Sequence, residues 1–471
     1  MHYHVPAVPG HKHVPLRTKV IWGFGGLADV LMFNTITAMG TLVYVNHFKL
    51  TPALAGIALG VPRFLDAFID VWIGNVSDNC KSRFGRRRPF MFLGVLGCVI
   101  LLPFLWTLPM PQTATHPWFT NIPFLYIVSM GSLLAAAYTL FVVPYTALGL
   151  ELTPDYDERT RVVRWRMYIG LLGNVTLGWL FFLAADKFWP DLGAGAFWVT
   201  VGVAVIVLVT GMIPVFGCRE ELAIEKQEPI RFLEALRYTL GNRPFLLLFV
   251  SFATIIIALF SAQSILPLLL QHYVFVGDAV QLGKFQGVLG TMAMAVSYVS
   301  IGVIGWISMK SNKRTAMVTG LGLATLGTAL TFFAMDPRWP WLMFGTFFIS
   351  SLGLQGCWLM IDSMTADVCD DDELRSGRRR EGMFSAVKSF ALKAAQGLTF
   401  GLGGYMATVA GFDPATVEQS GLDEATAWKM KIALIGFQLV GLLLATAIMW
   451  FYPITREKAA ETQRHLRAKA S

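Results

Sequence analysis

Twelve stretches of 20 or more mostly apolar residues alternate with short polar intervals along the chain. They run over about 20–46, 53–77, 89–108, 123–148, 160–184, 195–216, 244–270, 284–308, 315–335, 340–366, 383–410 and 428–452. Each is long enough, as a helix, to cross roughly 30 Å of hydrocarbon. The longest polar interval, Gly217 to Arg243, divides them six and six. The pattern predicts an all-α membrane protein with an N-terminal six-helix half (1–216), a linker (217–243) and a C-terminal six-helix half with a short tail (244–471).

Composition agrees with this pattern. Of 471 residues, 55% are hydrophobic and 14% charged, and the mean hydropathy is +0.56. A soluble protein of this length needs more charge on its surface. Forty-four glycines are scattered through the apolar blocks, as expected where membrane helices approach closely. The net charge of +8 would raise nucleic acid as a partner in a soluble chain. Here the cations are partitioned by side, which is a topology signal instead. Lys81, Arg83, Arg86, Arg87 and Arg88 fill the loop after the second span, and the loop from Met110 to Ile122 has none. Further clusters lie at Arg159–Arg164, Arg219–Arg243, Lys310–Arg314 and Arg375–Arg380. These even-numbered loops, and with them both termini, are expected in the cytoplasm of a cell with the protein in its inner membrane. The N-terminus lacks a cleavable signal pattern. Its four histidines (His2, His4, His11, His13) read as a metal-binding tail or, on composition, as a disordered one. Cys80, Cys98, Cys218, Cys357 and Cys369 have no ligand-like spacing and are expected as free thiols.

A charge at the centre of a membrane helix costs about 2.5–3.5 kcal/mol on insertion scales, so such residues are functional candidates. The second span runs inward from Pro52 and carries Asp66 and Asp70 roughly 20–27 Å deep, four residues apart on one face. Thr139 on the fourth span and the i, i+4 pair Trp358 and Asp362 on the tenth reach a similar depth. Asp29 and Lys393 lie about 15 Å in from their ends, and Arg166 sits two turns into the fifth. Convergence of these groups in one layer is what a carrier's binding site needs. Each has a plainer reading: the acids could pair with buried cations, Asp29 could pair locally, and Trp358 could be packing. Lys388, one turn from the interface, reads as a snorkelling side chain.

Two six-helix halves joined by a cytoplasmic loop is the major facilitator pattern, and specific stretches narrow it. Ser363-Met-Thr-Ala-Asp367-Val-Cys-Asp370-Asp-Asp-Glu373 leads into Gly377-Arg-Arg-Arg380-Glu381-Gly382. Pro62-Arg-Phe-Leu-Asp66-Ala-Phe-Ile-Asp70 is followed by Gly74 and Asp78, and Val143-Pro144-Tyr145 by Glu151 and Asp155. In these motifs the chain resembles the glycoside–pentoside–hexuronide:cation symporters over nearly its whole length. The resemblance implies cation coupling through Asp66, Asp70 and Thr139, and substrate binding by Asp29, Arg166, Trp358, Asp362 and Lys393. It also implies a cytoplasmic gate of Asp78, Arg83, Arg86 and Arg87 against Asp367, Asp370, Glu373, Arg379 and Glu381. A second cationic turn, Gly305 to Arg314, sits at the matching place in the other half. Two positions depart from the family: Val142 and Ile69 stand where the melibiose permease branch has an Asp and an Asn.

The expected function is cation-coupled symport of a sugar or glycoside by a monomer in contact with membrane lipid, with no resident cofactor. The alternative is a carrier of another polar solute or an amphiphile such as a lysolipid, whose pocket should be more apolar. A receptor would need an added soluble domain, and a membrane enzyme a nucleophile or phosphate-loop motif. Neither feature is visible. Sodium wants a nearly complete cage of about five or six oxygens, and Val142 and Ile69 remove two candidates. A proton needs no cage, so the expected coupling ion is H+ rather than Na+.

The charge partition makes a direct prediction. In intact cells, an external thiol reagent should label Thr113→Cys and leave Gln227→Cys untouched. The reverse pattern would invert the topology.

Overall fold

The computed structural model describes residues 14–80, 82–107, 121–153, 156–218, 241–376 and 381–470. The histidine-containing tail, Arg379, most of the linker and the loop containing Thr113 lie outside them, as do the side chains of Asp78 and Glu381. The first half holds α1 (Leu16–Asn46), α2 (Pro52–Asn79), α3 (Arg88–Phe104), α4 (Ile122–Glu151), α5 (Tyr156–Asn174), α6 (Thr176–Ala184) and α7 (Leu192–Gly217). The second holds α8 (Arg243–Phe260), α9 (Ala262–Leu269) with a π-helical turn at Leu270–Val274, α10 (Ala279–Lys310), α11 (Lys313–Ala334), α12 (Leu342–Ser376) and α13 (Glu381–Val409). It ends with α14 (Pro414–Ser420), α15 (Glu424–Trp450) and α16 (Arg456–Ala470). Helices α5 and α6 form one span, as do α8, α9 and the π turn. The described chain therefore has twelve helical spans in the expected order, nine of them long and apolar enough to cross a membrane.

Local chemistry sets where the helices begin. Thr51, Asn121, Asp191, Asn242, Asp278, Asn312 and Asp423 each accept a hydrogen bond from a backbone N–H in the first turn of the helix that follows. Such caps satisfy donors that the helix itself leaves unpaired. Hydropathy marks helix ends less well. Helix α12 continues to Ser376, about three turns past the expected end of the tenth span. Its last turns, Asp370–Arg375, are charged but helix-compatible. Two further helices, α14 and α16, are too short or too polar for an apolar pattern to reveal.

Within the first half α1 packs on α5 and α7, and α4 on α2 and α3. In the second, α12 packs on α10 and α11, and α15 on α8 and α11. The halves meet along two lines, α2 with α13 and α6 with α10. At the first crossing the backbones nearly touch: a Cβ on Gly60 would lie 2.2 Å from the Gly397 carbonyl oxygen. Leu93, Ile100, Val205, Val209, Leu443 and Leu444 are exposed on the outer faces, as lipid-facing residues are.

The two ends of the bundle differ. At the end opposite the basic loops, polar contacts join the halves: Lys49 with Glu418 at 2.6 Å, Asn46 with Gln271 at 2.6 Å, and Ala53 N–H with Thr408 Oγ1 at 3.1 Å. At the basic end, each described ion pair stays within one half. Arg86 and Arg87 pair with Glu151, Lys19 with Glu158, Lys313 with Asp367, and Arg375 and Lys458 with Asp371. The protein is thus closed at the end opposite the basic loops.

Packing within a half gives a test of the fold. Trp22 lies directly over Gly149, where an added Cβ would sit 1.9 Å from the indole ring. Gly149→Ala should cost about 1–3 kcal/mol through overpacking. Gly202→Ala, with nothing within 4 Å of its Cβ, should not lower the melting temperature of the purified protein.

Candidate functional site

Asp66 is fully buried on α2, which is fixed by its packing on α4 and α13. Thr139 on α4 donates its hydroxyl to Asp66 Oδ1. Lys393 on α13 reaches across from the other half. Its Nζ lies 2.8 Å from Asp66 Oδ2 and 2.6 Å from Asp70 Oδ2. Asp70 Oδ1 is buried with no hydrogen-bond partner among the described residues, so the pair of acids keeps an open acceptor.

Two arginines complete this layer. Arg63, one turn before Asp66, points its Nη1 at Asp66 Oδ2 from 3.8 Å and rests on the rings of Phe33 and Tyr138, at 4.2 and 5.5 Å. Tyr138 donates its hydroxyl to Asp29 Oδ1 at 2.7 Å, and Arg166 donates to Asp29 Oδ2 at 2.9 Å. Arg166 in turn lies over the rings of Tyr145 and Trp22, at 5.4 and 5.9 Å. Those two rings lock α1 to α4 by reciprocal bonds: Tyr145 OH to the Trp22 carbonyl at 2.7 Å, and Trp22 Nε1 to the Tyr145 carbonyl at 3.2 Å. Stacking on aromatic faces suits guanidinium groups held away from water.

The first half alone contributes Asp29, Asp66 and Asp70 against Arg63 and Arg166, three acids to two cations. Lys393 from the second half makes the count even. Five helices, α1, α2, α4, α5 and α13, supply this connected network. The pair expected from the tenth span stands apart. Trp358 packs edge-to-face on Phe252 of α8, centroids 5.5 Å apart, half-buried against the core of the second half. Asp362 is largely exposed and bonds Lys388 Nζ at 2.5 Å, so Lys388, expected to snorkel, has an acidic partner. Of the gate candidates, Arg86 and Arg87 bond Glu151, Asp367 bonds Lys313 at 2.7 Å, and Asp370 accepts from Gln463 on α16 at 3.3 Å. Arg83 is exposed beside Phe84.

Sequence reasoning passed over Arg63, Tyr138, Tyr145 and Trp22. Arg63 had a signal, being a charge within a membrane span and three residues before Asp66. Tyr145 stood in a quoted motif without a role, and Tyr138 and Trp22 had no signal, because rings are common in every span.

The fold and this buried charge network define a secondary transporter rather than an enzyme. A family model described as MFS/sugar transport protein matches residues 21–456, and the chain belongs to that family. It is 26% identical over 464 residues to the glucuronide carrier protein homolog of Escherichia coli K12, covering 96% of this chain and 95% of that one. It is 22% identical to the sodium-dependent lysophosphatidylcholine symporter 1 of Mus musculus, covering 97% and 89%. Among solved structures, an inward-facing bacterial homolog of the lysosomal transporter Spinster aligns with TM-score 0.70 at 16% identity, over 95% of this chain and 97% of that one. The resemblance to glycoside–pentoside–hexuronide symporters is therefore borne out, and the protein is a multi-pass integral membrane transporter of a small molecule.

The bridge formed by Lys393 makes a prediction. Breaking a buried ion pair by removing one partner costs about 3–5 kcal/mol. Lys393→Ala should therefore melt well below wild type in detergent. A cation that occupies the acids should restore part of the loss, so a titration of Na+ and of pH on the variant reads which ion they accept. A variant as stable as wild type in every condition would remove the bridge from the energetics.

Proposed function

We propose that the protein is a cation-coupled symporter of a sugar or glycoside, working by alternating access as a monomer in the inner membrane. The basic end and both termini face the cytoplasm on this reading, so the described state is closed to the outside. The observation that carries the proposal is the ammonium of Lys393 bridging Asp66 and Asp70 across the two halves. A bridge between halves is stronger in one state than the other, and such differential contacts set a conformational equilibrium. In the unloaded carrier Lys393 supplies the charge that balances the acids. A coupling cation at the acids releases Lys393 and ties ion occupancy to the change of state. Asp29 and Arg166, joined through Tyr138 to the same layer, supply the acceptor and donor that a polyhydroxylated substrate needs.

The proton is the favoured coupling ion. Thr139 is the one uncharged side chain described on the acids, and Val142 and Ile69 add no oxygen. Asp362, the remaining candidate ligand, is engaged by Lys388. The lysophosphatidylcholine symporter among the relatives favours a second reading, an amphiphile carrier.

Uptake into vesicles from a labelled panel of sugars, uronides and lysophosphatidylcholine separates these readings. Proton-coupled sugar symport predicts accumulation of a sugar that survives replacement of sodium by choline and alkalinises the outside. Asp66→Asn and Asp70→Asn should lose uphill accumulation while substrate exchange persists. Accumulation of lysophosphatidylcholine alone would reject the sugar reading, and a steep sodium requirement without proton movement would reject the proton.

A further inference from the structure

The first span of each half ends in the same irregular turn. Phe48 N–H bonds the Val43 carbonyl at 3.1 Å and Leu50 N–H the Tyr44 carbonyl at 3.0 Å. In the second half Phe275 N–H bonds Leu270 at 2.9 Å and Gly277 N–H bonds Gln271 at 2.7 Å. Residues 43–50 and 270–277 thus repeat one hydrogen-bond pattern, although only Phe48 and Phe275 are the same residue type. Sequence comparison does not show this repeat. In both turns the residue after the phenylalanine is left-handed: Lys49 at φ +54° and Val276 at φ +48°. Among the described residues these are the two non-glycine residues with positive φ. A branched valine there is a genuine outlier, and such strain persists only where surrounding contacts enforce it.

Polar contacts beside these turns run between the halves. Asn46 Nδ2 donates to Gln271 Oε1 at 2.6 Å. Asn46 Oδ1 lies 3.2 Å from His272 Nε2, and an amide oxygen only accepts, so this ring nitrogen carries the proton. Lys49, the strained residue itself, reaches Glu418 of α14 at 2.6 Å. Beside these groups lies a cavity of about 310 Å³, lined by Asn46, Lys49, Gln271, His272, Phe412 and Glu418 among others. The backbone of Gln271 is the acceptor of its own turn and its side chain the acceptor for the other half. Turn geometry and closure are therefore linked through one residue.

We propose that these twin turns are the outer gate of the carrier, with Asn46, Gln271 and His272 as its latch and the strained backbones at Lys49 and Val276 as the opposing spring. The proposal rests on the alternating-access part of the reading above and on none of its substrate or ion assignments. The latch bonds exist only while the outer end is closed, so losing them favours opening. The strain exists only while the turns are held closed, so relieving it favours closure. The two elements act in opposite directions on one equilibrium. Val276 is 80% exposed, so glycine there changes the backbone preference and removes no packing.

The test is a distance measurement across the outer end. Nitroxides are placed at Lys187→Cys and Arg338→Cys, exposed positions in opposite halves. The background is Cys80→Ser, the other four cysteines being buried. Electron paramagnetic resonance of the protein in lipid nanodiscs then reads the fraction of long distances. Asn46→Ala with Gln271→Ala should raise that fraction about threefold or more, and Val276→Gly should lower it. Asn46→Ala alone should raise it by less, which keeps a test available if the double alanine variant fails to insert. Fractions unchanged in all variants, or moving the same way in the alanine and glycine variants, would overturn the proposal. The measurement needs no substrate, so a carrier that accumulates none of the sugars still passes or fails it.

Discussion

Ionised groups placed in a low-dielectric layer have to be balanced nearly one for one, and the architecture follows from that constraint. The first half places three acids, one of them fully buried, with two arginines. Its remaining negative charge is met by Lys393 from the opposite half. Neither half is electrically complete alone. The α2–α13 crossing is held close by Gly60 and Gly397, which brings Lys393 within reach of both acids. The same constraint accounts for the aromatic seats of Arg63 and Arg166, which place partly buried cations against ring faces.

Away from this layer the opposite arrangement holds. At the basic end the charges are satisfied within each half: Glu151 by two arginines, Asp367 by Lys313, and Asp371 by Arg375 and Lys458. Separation of the halves there leaves none of these pairs broken. At the other end the polar contacts cross between halves and are lost if they part. Rigid-body rocking about a central site is the expected motion of such repeats, and the ion-pair pattern is compatible with it. The C-terminal helix α16 adds to the division, since its Gln463 bonds Asp370, an acid the resemblance set against the other half's arginines, and its Lys458 pairs with Asp371.

Much of the site was legible because the membrane makes charge conspicuous. Asp29, Asp66, Asp70, Arg166 and Lys393 stand out as charges within apolar runs, and their depths follow from helix rise and span direction alone. The i, i+4 spacing of Asp66 and Asp70 places them on one face before any coordinates are known. That reasoning does not foresee the partner of Asp362, which is largely exposed and bonds Lys388 on α13 rather than joining the acids. Depth comes from position along the helix, whereas facing depends on how α12 is rotated against α10, α11 and α13. It fails equally for Tyr138 and Trp22, whose importance lies in what they touch.

The sequence by itself determined the twelve crossings, their division into halves and the sidedness of charge, because each depends on properties local to a segment: apolar length, capping residues and the placement of lysine and arginine. Only the tertiary structure decided which charges meet. It joined Lys393 to both acids, sent Asp362 to Lys388, and brought the turns at Lys49 and Val276 together at one seam. Those outcomes depend on helix rotation, crossing and the state of closure, which are set by side-chain packing between separate helices and leave no local trace in the chain.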